Sequence, residues 1–271
     1  MAVLHYMGNF VAQSLLWLWL AIFLLGLLVE RLAPAEPRQP AGDLLMNLGY
    51  SALLNWLLFT AAPATAAAET FILNRVGLGL LPLSAEGWRL VPSAALYVLT
   101  ADFLEYAFHR AQHAFPLLWS MHSFHHSDRS VNVTTTQRNF WLESPLKLAV
   151  VYPVLAVLFR VPTEVLAIYA AFGTLHFFSH LNLRLSLGPF WTVVNGPQFH
   201  RIHHSALPQH RDKNFAAFFP VFDILFGTHH RPLPGEFPGT GLDTADAPRG
   251  LVEAALWPLR RWLRPAGAIS R

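Results

Sequence analysis

Long apolar runs separated by short polar breaks dominate the first two thirds of the chain. Phe10 to Val29 is about the 20 residues a helix needs to cross the hydrocarbon core of a bilayer, and Glu30-Arg31 closes it. No basic segment precedes this run and no small-x-small site follows it, so a spanning helix is expected rather than a cleaved leader. The Pro- and charge-rich stretch 33–43 reads as a loop. A second apolar run extends from Leu44 to about Ala68, followed by a looser segment, Glu69 to Trp88, punctuated by Gly77, Gly79 and Pro82. A third run, Leu90 to Phe108, feeds directly into the first histidines. Leu146 to Phe178 is too long for one span. Arg160-Val161-Pro162 divides it, because proline removes a helical donor and restricts the residue before it. This region predicts a helical hairpin that enters the bilayer and returns.

The pattern predicts an all-α integral membrane protein with about three transmembrane helices plus a hairpin, capped by a cytosolic, histidine-rich helical domain. Three regions follow: N-terminal spans and loops over 1–90, a histidine-rich region over 91–232, and a tail over 233–271. Composition agrees. The chain is 54% hydrophobic and 13% charged, with nine Trp and 21 Phe, against roughly 25% charged for a soluble domain. Residues 184–271 hold ten of the 19 Lys and Arg, and 109–147 hold four more. The positive-inside rule puts both stretches in the cytosol and the N-terminus outside. The net charge of +3 therefore fits cytosolic loops and anionic lipid. No nucleic-acid motif is present.

In the tail, Leu251, Ala254, Ala255, Leu259 and Leu263 fall at helical spacing, flanked by Arg260, Arg261 and Arg264. This stripe predicts an interfacial amphipathic helix on anionic headgroups, or a helix packed on the histidine-rich region, with a kink at Pro258 either way.

The chain has no cysteine. Any metal must be held by His, Asp or Glu. Of the 14 histidines, ten fall in four clusters: His109/His113, His122/His125/His126, His176/His180 and His200/His203/His204. Residues four apart on a helix share a face, offset by about 40°, so each pair in an H-x-x-x-H can reach one ion. In each H-x-x-H-H the first histidine shares a face with both later ones. Ten imidazoles exceed the needs of one ion; two ions with four or five nitrogens each use them all. Imidazole suits Zn, Cu and Fe alike. His5, His210, His229 and His230 lie outside these clusters and read as tail or loop residues, the last two also as donors behind the ligands.

The order H-x-x-x-H, H-x-x-H-H, H-x-x-x-H, H-x-x-H-H resembles the fatty acid hydroxylase and sterol desaturase superfamily. Asp102, Glu105 and Tyr106 before His109-Arg110, Pro197 before His200-Arg201, Asn214-Phe215, and the run from Phe222 to Thr228 carry the same resemblance, over roughly residues 95–232. Departures are Asn139-Phe140 after Arg138, Ala216 after Asn214-Phe215, and the ending His229-His230. The resemblance implies an O₂-dependent di-iron monooxygenase that hydroxylates or desaturates a membrane lipid such as a sterol, sphingoid or fatty acyl chain. It implies two iron ions, with zinc able to occupy the purified protein. It also implies a separate electron-transfer protein of ferredoxin or cytochrome type with its reductase, since no haem domain is fused here. The expected location is the cytosolic face of a bacterial inner membrane.

Asp102 stands seven residues before His109 on the same helical face and is expected to orient a ligand imidazole, with Glu105 and Glu143 as alternatives. Arg110, Arg138 and Arg201 are candidates to pair with these carboxylates or with lipid phosphate. The stretch Phe215 to Phe222 reads as core or as a membrane-facing lip. A substrate channel with apolar walls is expected to run from the metals toward the bilayer, lined by Trp119, Phe172, Phe177 and Phe199. Two rival classes are a metal-dependent membrane hydrolase, which wants a carboxylate base and no electron donor, and a metal transporter, which wants ionisable groups spread through the spans.

Overall fold

A computed structural model describes residues 20–76 and 79–262. The architecture is helical: α1 (Leu20–Val29), α2 (Ala41–Val76), α3 (Leu90–Ala114), α4 (Pro116–His126), α5 (Glu143–Leu158), α6 (Thr163–Phe172), α7 (Leu175–Ser179), α8 (Pro197–His203), α9 (Val221–Leu225), α10 (Leu251–Ala255) and α11 (Leu259–Trp262). A parallel pairing of Leu81-Pro82 with Phe159-Arg160 is the one two-stranded element among the described residues. α3 packs on α4, α5 and α6; α2 packs on α5 and α10; α7 packs on α8.

Among the described residues one segment, Ala41–Ala61 of α2, is long and apolar enough to cross a membrane by length and composition. α1 is a shorter apolar helix, and the first half of the expected first span lies outside the described residues. The third expected span is a single 25-residue helix, α3, about 37 Å long at 1.5 Å per residue. It carries Asp102 and Glu105 buried on its inner face. Its outer face presents Val91, Leu96, Leu99 and Phe103, and the hairpin presents Val150, Val154 and Leu166, all exposed. Large apolar side chains in such numbers fit a lipid surround.

The expected hairpin break is present. α5 ends at Leu158, and α6 restarts after Pro162, which caps it in extended conformation. The tail splits at Pro258 into α10 and α11. Ala254 and Trp257 sit in a core with Tyr50, Leu54, Met121 and Phe124, and Trp257 Nε1 donates to Ser123 Oγ at 3.0 Å. Leu251, Val252, Leu256 and Leu259 stay exposed. The tail therefore packs on the histidine-bearing helix α4 with one face and shows the other outward. Leu263 lies outside the described residues.

Arg138 and Arg201 face neither lipid phosphate nor the expected carboxylates. Arg138 is buried and donates to the Phe124 carbonyl, Asn47 Oδ1 and Ser127 Oγ at 3.1, 2.8 and 2.8 Å. This closes the C-terminal end of α4, where carbonyls lack helical partners, and so fixes the turn that carries His125 and His126. Arg201 donates to the Pro238 carbonyl at 2.8 Å.

Candidate metal centre

Four helices deliver the histidines. α3 ends with His109 and His113 one turn apart. Pro116 starts α4 immediately afterwards, since its fixed φ and missing N–H suit the first helical position, and α4 ends in His122, His125 and His126. Pro197 starts α8 in the same way. Gly196 precedes it, where a Cβ would lie 2.6 Å from Leu187 Cδ1 and push that side chain aside.

Nine imidazoles converge into two groups. The first holds His109, His113, His122, His126 and His203; the second holds His125, His180, His200 and His204. Within each group the candidate ligand atoms lie within 4.8 Å of one another. Each H-x-x-H-H motif is divided between the groups. His122 and His126 enter the first while His125 enters the second. His200 and His204 enter the second while His203 enters the first. The i,i+4 pair shares one face and the middle histidine crosses to the other group.

His176 joins neither group. α7 has only five residues, and the His176 ring packs against Phe218 with centroids 5.2 Å apart. Its carbonyl accepts from His180 Nδ1 at 2.6 Å. The backbone of His176 thus orients a neighbouring imidazole, and its side chain faces a cavity.

The proton positions follow from the partners. A carbonyl only accepts, so an imidazole Nδ1 that bonds to one carries the proton and leaves Nε2 with a lone pair. This holds for His109 on the Phe215 carbonyl at 2.8 Å, His180 on the His176 carbonyl and His203 on the Lys213 carbonyl at 2.7 Å. His122 Nδ1 meets Glu143 Oε2 at 3.1 Å, and His113 Nδ1 meets Asp212 Oδ1 at 3.2 Å. Yet the Nε2 atoms face each other: His109 with His122 at 3.0 Å, His113 with His126 at 3.2 Å, and His180 with His200 at 3.0 Å and with His125 at 3.2 Å. His203 Nε2 is buried with no hydrogen-bond partner. His109 and His122 both give their Nδ1 proton to an oxygen, so their facing Nε2 lone pairs repel unless a cation lies between them; the Nδ1 atoms of His125, His200 and His204 have no hydrogen-bond partner. Metal–nitrogen bonds of about 2.0–2.1 Å give ligand–ligand edges of about 2.9–3.4 Å between octahedral and tetrahedral angles. The observed contacts lie in that range, so the donor set fits two metal ions.

Burial pushes the imidazoles of His122, His126, His200, His203 and His204 well below their ordinary pKa, and mutual repulsion adds to it. That of His180 falls to about 4, also through burial. Neutral imidazole is the form that ligates.

The segment Phe215–Phe219 forms a wall of the site, and side chains hold its backbone. The amides of Phe215 and Ala216 donate to Asp223 at 2.9 and 2.7 Å; those of Phe218 and Phe219 donate to Asp102 at 2.8 and 3.0 Å. Asp102 therefore anchors this segment and orients no imidazole, contrary to the sequence expectation. Glu105 pairs with Lys147 Nζ at 2.6 Å. Of the three carboxylates expected to orient an imidazole, Glu143 is the one that does; it also accepts from Gln112 Nε2 at 2.6 Å and the Phe140 amide at 3.0 Å. Asp212 and the Lys213 carbonyl have no sequence signature. Asp212 and Asn214 adopt left-handed backbone, φ 57° and 60°, which Asp and Asn tolerate best.

A cavity of about 460 Å³ touches both groups through His109, His122, His125, His180 and His200. Its other lining mixes polar groups, including Glu105, Gln112, Thr136, Gln137, Asn139, Lys147 and His176, with Phe177, Ala216 and Ala217. The expected apolar wall is present next to the metals in part. Of the four expected lining residues, Phe177 borders this chamber and Trp119 a smaller cavity beside His113. Phe172 packs on Phe218, and Phe199 is buried against Trp191. Tyr152 also lines a second cavity of about 550 Å³, walled mostly by Tyr97, Leu148, Leu155, Phe159, Leu166 and Tyr169.

Replacing Glu143 with Gln is expected to weaken metal binding by roughly 10–100-fold, because it removes the charge that fixes His122. Competition with a chromophoric chelator measures this.

Paired groups of inward imidazoles on a helical scaffold define a histidine-rich protein built to hold metal. The fatty acid hydroxylase family matches residues 94–228, all four histidine clusters included, and the chain belongs to the fatty acid hydroxylase superfamily. It is 34% identical over 134 residues to alkylglycerol monooxygenase of Xenopus tropicalis, covering 49% of this chain and 29% of that protein. It is 26% identical over 176 residues to ornithine lipid hydroxylase of Rhizobium tropici, covering 65% of this chain and 53% of that protein. It is 30% identical over 155 residues to a very-long-chain aldehyde decarbonylase of Oryza sativa subsp. japonica, covering 51% and 23%. The chain thus spans less than two thirds of each of these relatives. No solved structure matches it.

Proposed function

We propose that this chain is an O₂-dependent di-iron monooxygenase that hydroxylates, or desaturates, a C–H bond of a membrane lipid. Its electrons come from a separate ferredoxin- or cytochrome-type protein with its reductase. The site works at the cytosolic face of a bacterial inner membrane, a location supported by the basic 184–271 stretch and by the Rhizobium relative. The observation that carries this reading is the convergence of imidazole Nε2 atoms into two adjacent groups of five and four. A bound iron pair supplies the O₂ activation needed to attack an unactivated C–H bond.

The protein's own residues do the rest. Nine imidazoles hold the pair, the Phe215, His176 and Lys213 carbonyls with Glu143 and Asp212 fix the tautomers of five of them, and the buried position keeps bulk water away. The mixed polar and apolar chamber and the apolar cavity, both lined by Tyr152, support an amphiphile as substrate. Its polar group lies in the chamber near Lys147 and Gln112, and its hydrocarbon follows α5. The carbon attacked then lies close to the headgroup. The hydrolase reading wants a free carboxylate base at the metals; among the described residues Glu143 and Asp212 engage imidazole Nδ1 atoms and Glu105 is paired with Lys147.

Oxygen consumption coupled to a reductant and to a lipid gaining one oxygen, or losing two hydrogens, tests the proposal. Comparison of lipids from a deletion strain identifies the substrate. Ala156→Trp places bulk in the apolar cavity at a half-buried position. It is expected to lower kcat/KM for long-chain substrates at least about tenfold, with little change for short ones. An equal loss for both would remove the groove from the substrate path.

A further inference from the structure

His210, His230 and Glu236 stand apart from the nine imidazoles; the sequence reads His210 as a loop residue and His230 as a loop residue or a donor behind the ligands. Their candidate ligand atoms lie within 4.8 Å of one another. His210 Nε2 lies 3.2 Å from Glu236 Oε1. His230 Nε2 lies 3.3 Å from both carboxylate oxygens. The two rings meet edge to face, 4.6 Å apart.

A hydrogen-bonded His–Glu–His cluster is the plain alternative: the contacts of 3.2, 3.3 and 3.3 Å stand at the long end of imidazole–carboxylate bonds, close to those of His113 and His122 with their carboxylates. What favours an ion is the convergence: both imidazoles turn Nε2 to one carboxylate, and His230 Nε2 stands equally far from its two oxygens. Ligands at about 2.0–2.1 Å from a tetrahedral ion stand about 3.3–3.4 Å apart. The His210 side chain is 1% exposed and the Glu236 side chain 19%, so the ligand atoms are shielded on one side and reachable on the other.

The loops are built to bring these groups together. Leu233 N donates to Glu236 Oε2 at 2.8 Å, which turns the carboxylate inward. Gln198 Nε2 on α8 donates to the Leu233 and Glu236 carbonyls. Asn214 bonds both the amide and the carbonyl of His230.

We propose that His210, His230 and Glu236 form a third metal site, separate from the iron pair, taking one zinc-like divalent cation with two imidazoles, one carboxylate and one position open. Two imidazoles and a carboxylate are a donor set that zinc accepts. His230 and Glu236 lie beyond the residues matched by the family, 94–228. The ion ties the loop after α8 to the segment after α9. The first of these loops carries Asp212 and Lys213, whose oxygens orient His113 and His203. The third ion thus braces the first imidazole group from behind.

The test is metal stoichiometry of the full chain in detergent, loaded with Zn²⁺ and dialysed against zinc-free buffer. About three ions per chain are expected in the wild type, and two in both Glu236→Gln and His210→Ala. Glu236→Gln keeps shape and hydrogen bonding, so it covers the case in which His210→Ala fails to fold. Substitution by Co²⁺ gives a second reading: the visible absorption of a low-coordinate site is expected in the wild type and reduced by one equivalent in Glu236→Gln. Equal metal counts in the wild type and both variants overturn the third site. A drop from two ions to one on losing His204, with no change at Glu236, supports the metal pair and refutes only this inference.

Discussion

Alanine at His204 is expected to lower the metal content of the imidazole pair from two ions to one and to abolish turnover. The second group has only four nitrogens, so losing one leaves three and opens the site to water. His204 is fully buried. Its Nε2 lies 3.2 Å from that of His200, and its ring stacks 4.6 Å from His126 of the first group. No neighbouring side chain can replace it. Changing groups behind the ligands already costs roughly 10–100-fold, so removing a ligand is expected to cut activity at least about 100-fold. Elemental analysis with oxygen-consumption assays measures both effects. His176→Ala is the control. It is expected to keep both ions, because its ring packs on Phe218 rather than facing either group. If His176→Ala loses an ion as His204→Ala does, the ten-histidine set expected from the motifs replaces the nine.

What was legible in the sequence was local. α3 and the hairpin break at Pro162 follow from runs of apolar residues and from proline sterics, which act over a few residues. The convergence of the histidines was legible because four clusters at helical spacing leave few other outcomes. How each H-x-x-H-H divides was not. His122, His125 and His126 all lie within one helical turn of each other. Which of them turns to which ion depends on the helices packed opposite, here α3 and α8. Asp102 shows how spacing misleads. Seven residues put it on the same face as His109 but also about 10 Å farther down the axis, two turns away. From there it reaches the Phe218 and Phe219 amides instead. The orienting group of His122 is Glu143, at the start of another helix, α5. Glu143 stood among the expected alternatives, but nothing in the local pattern around His122 says which imidazole it meets across the intervening loop.

Asp102→Ala is therefore expected to act on stability first and on chemistry only through it. The carboxylate accepts two buried backbone amides. Hydrogen bonds to a charged group contribute roughly 1.5–3 kcal/mol each, and an orphaned buried amide carries its own cost. A loss of about 3–5 kcal/mol is expected, enough to remove much of the margin of a marginally stable fold. The damage then spreads along the chain to the metals. Phe218 and Phe219 lie three and four residues from Phe215, whose carbonyl fixes the His109 tautomer. Releasing their amides loosens that carbonyl and weakens the first group. Asp102→Asn keeps one acceptor oxygen and is expected to fall between wild type and alanine in thermal midpoint, metal retention and turnover alike. That parallel descent is the signature of a positioning residue. An Asn variant with full metal content and an unchanged melting midpoint but no turnover would instead make Asp102 a participant in the reaction.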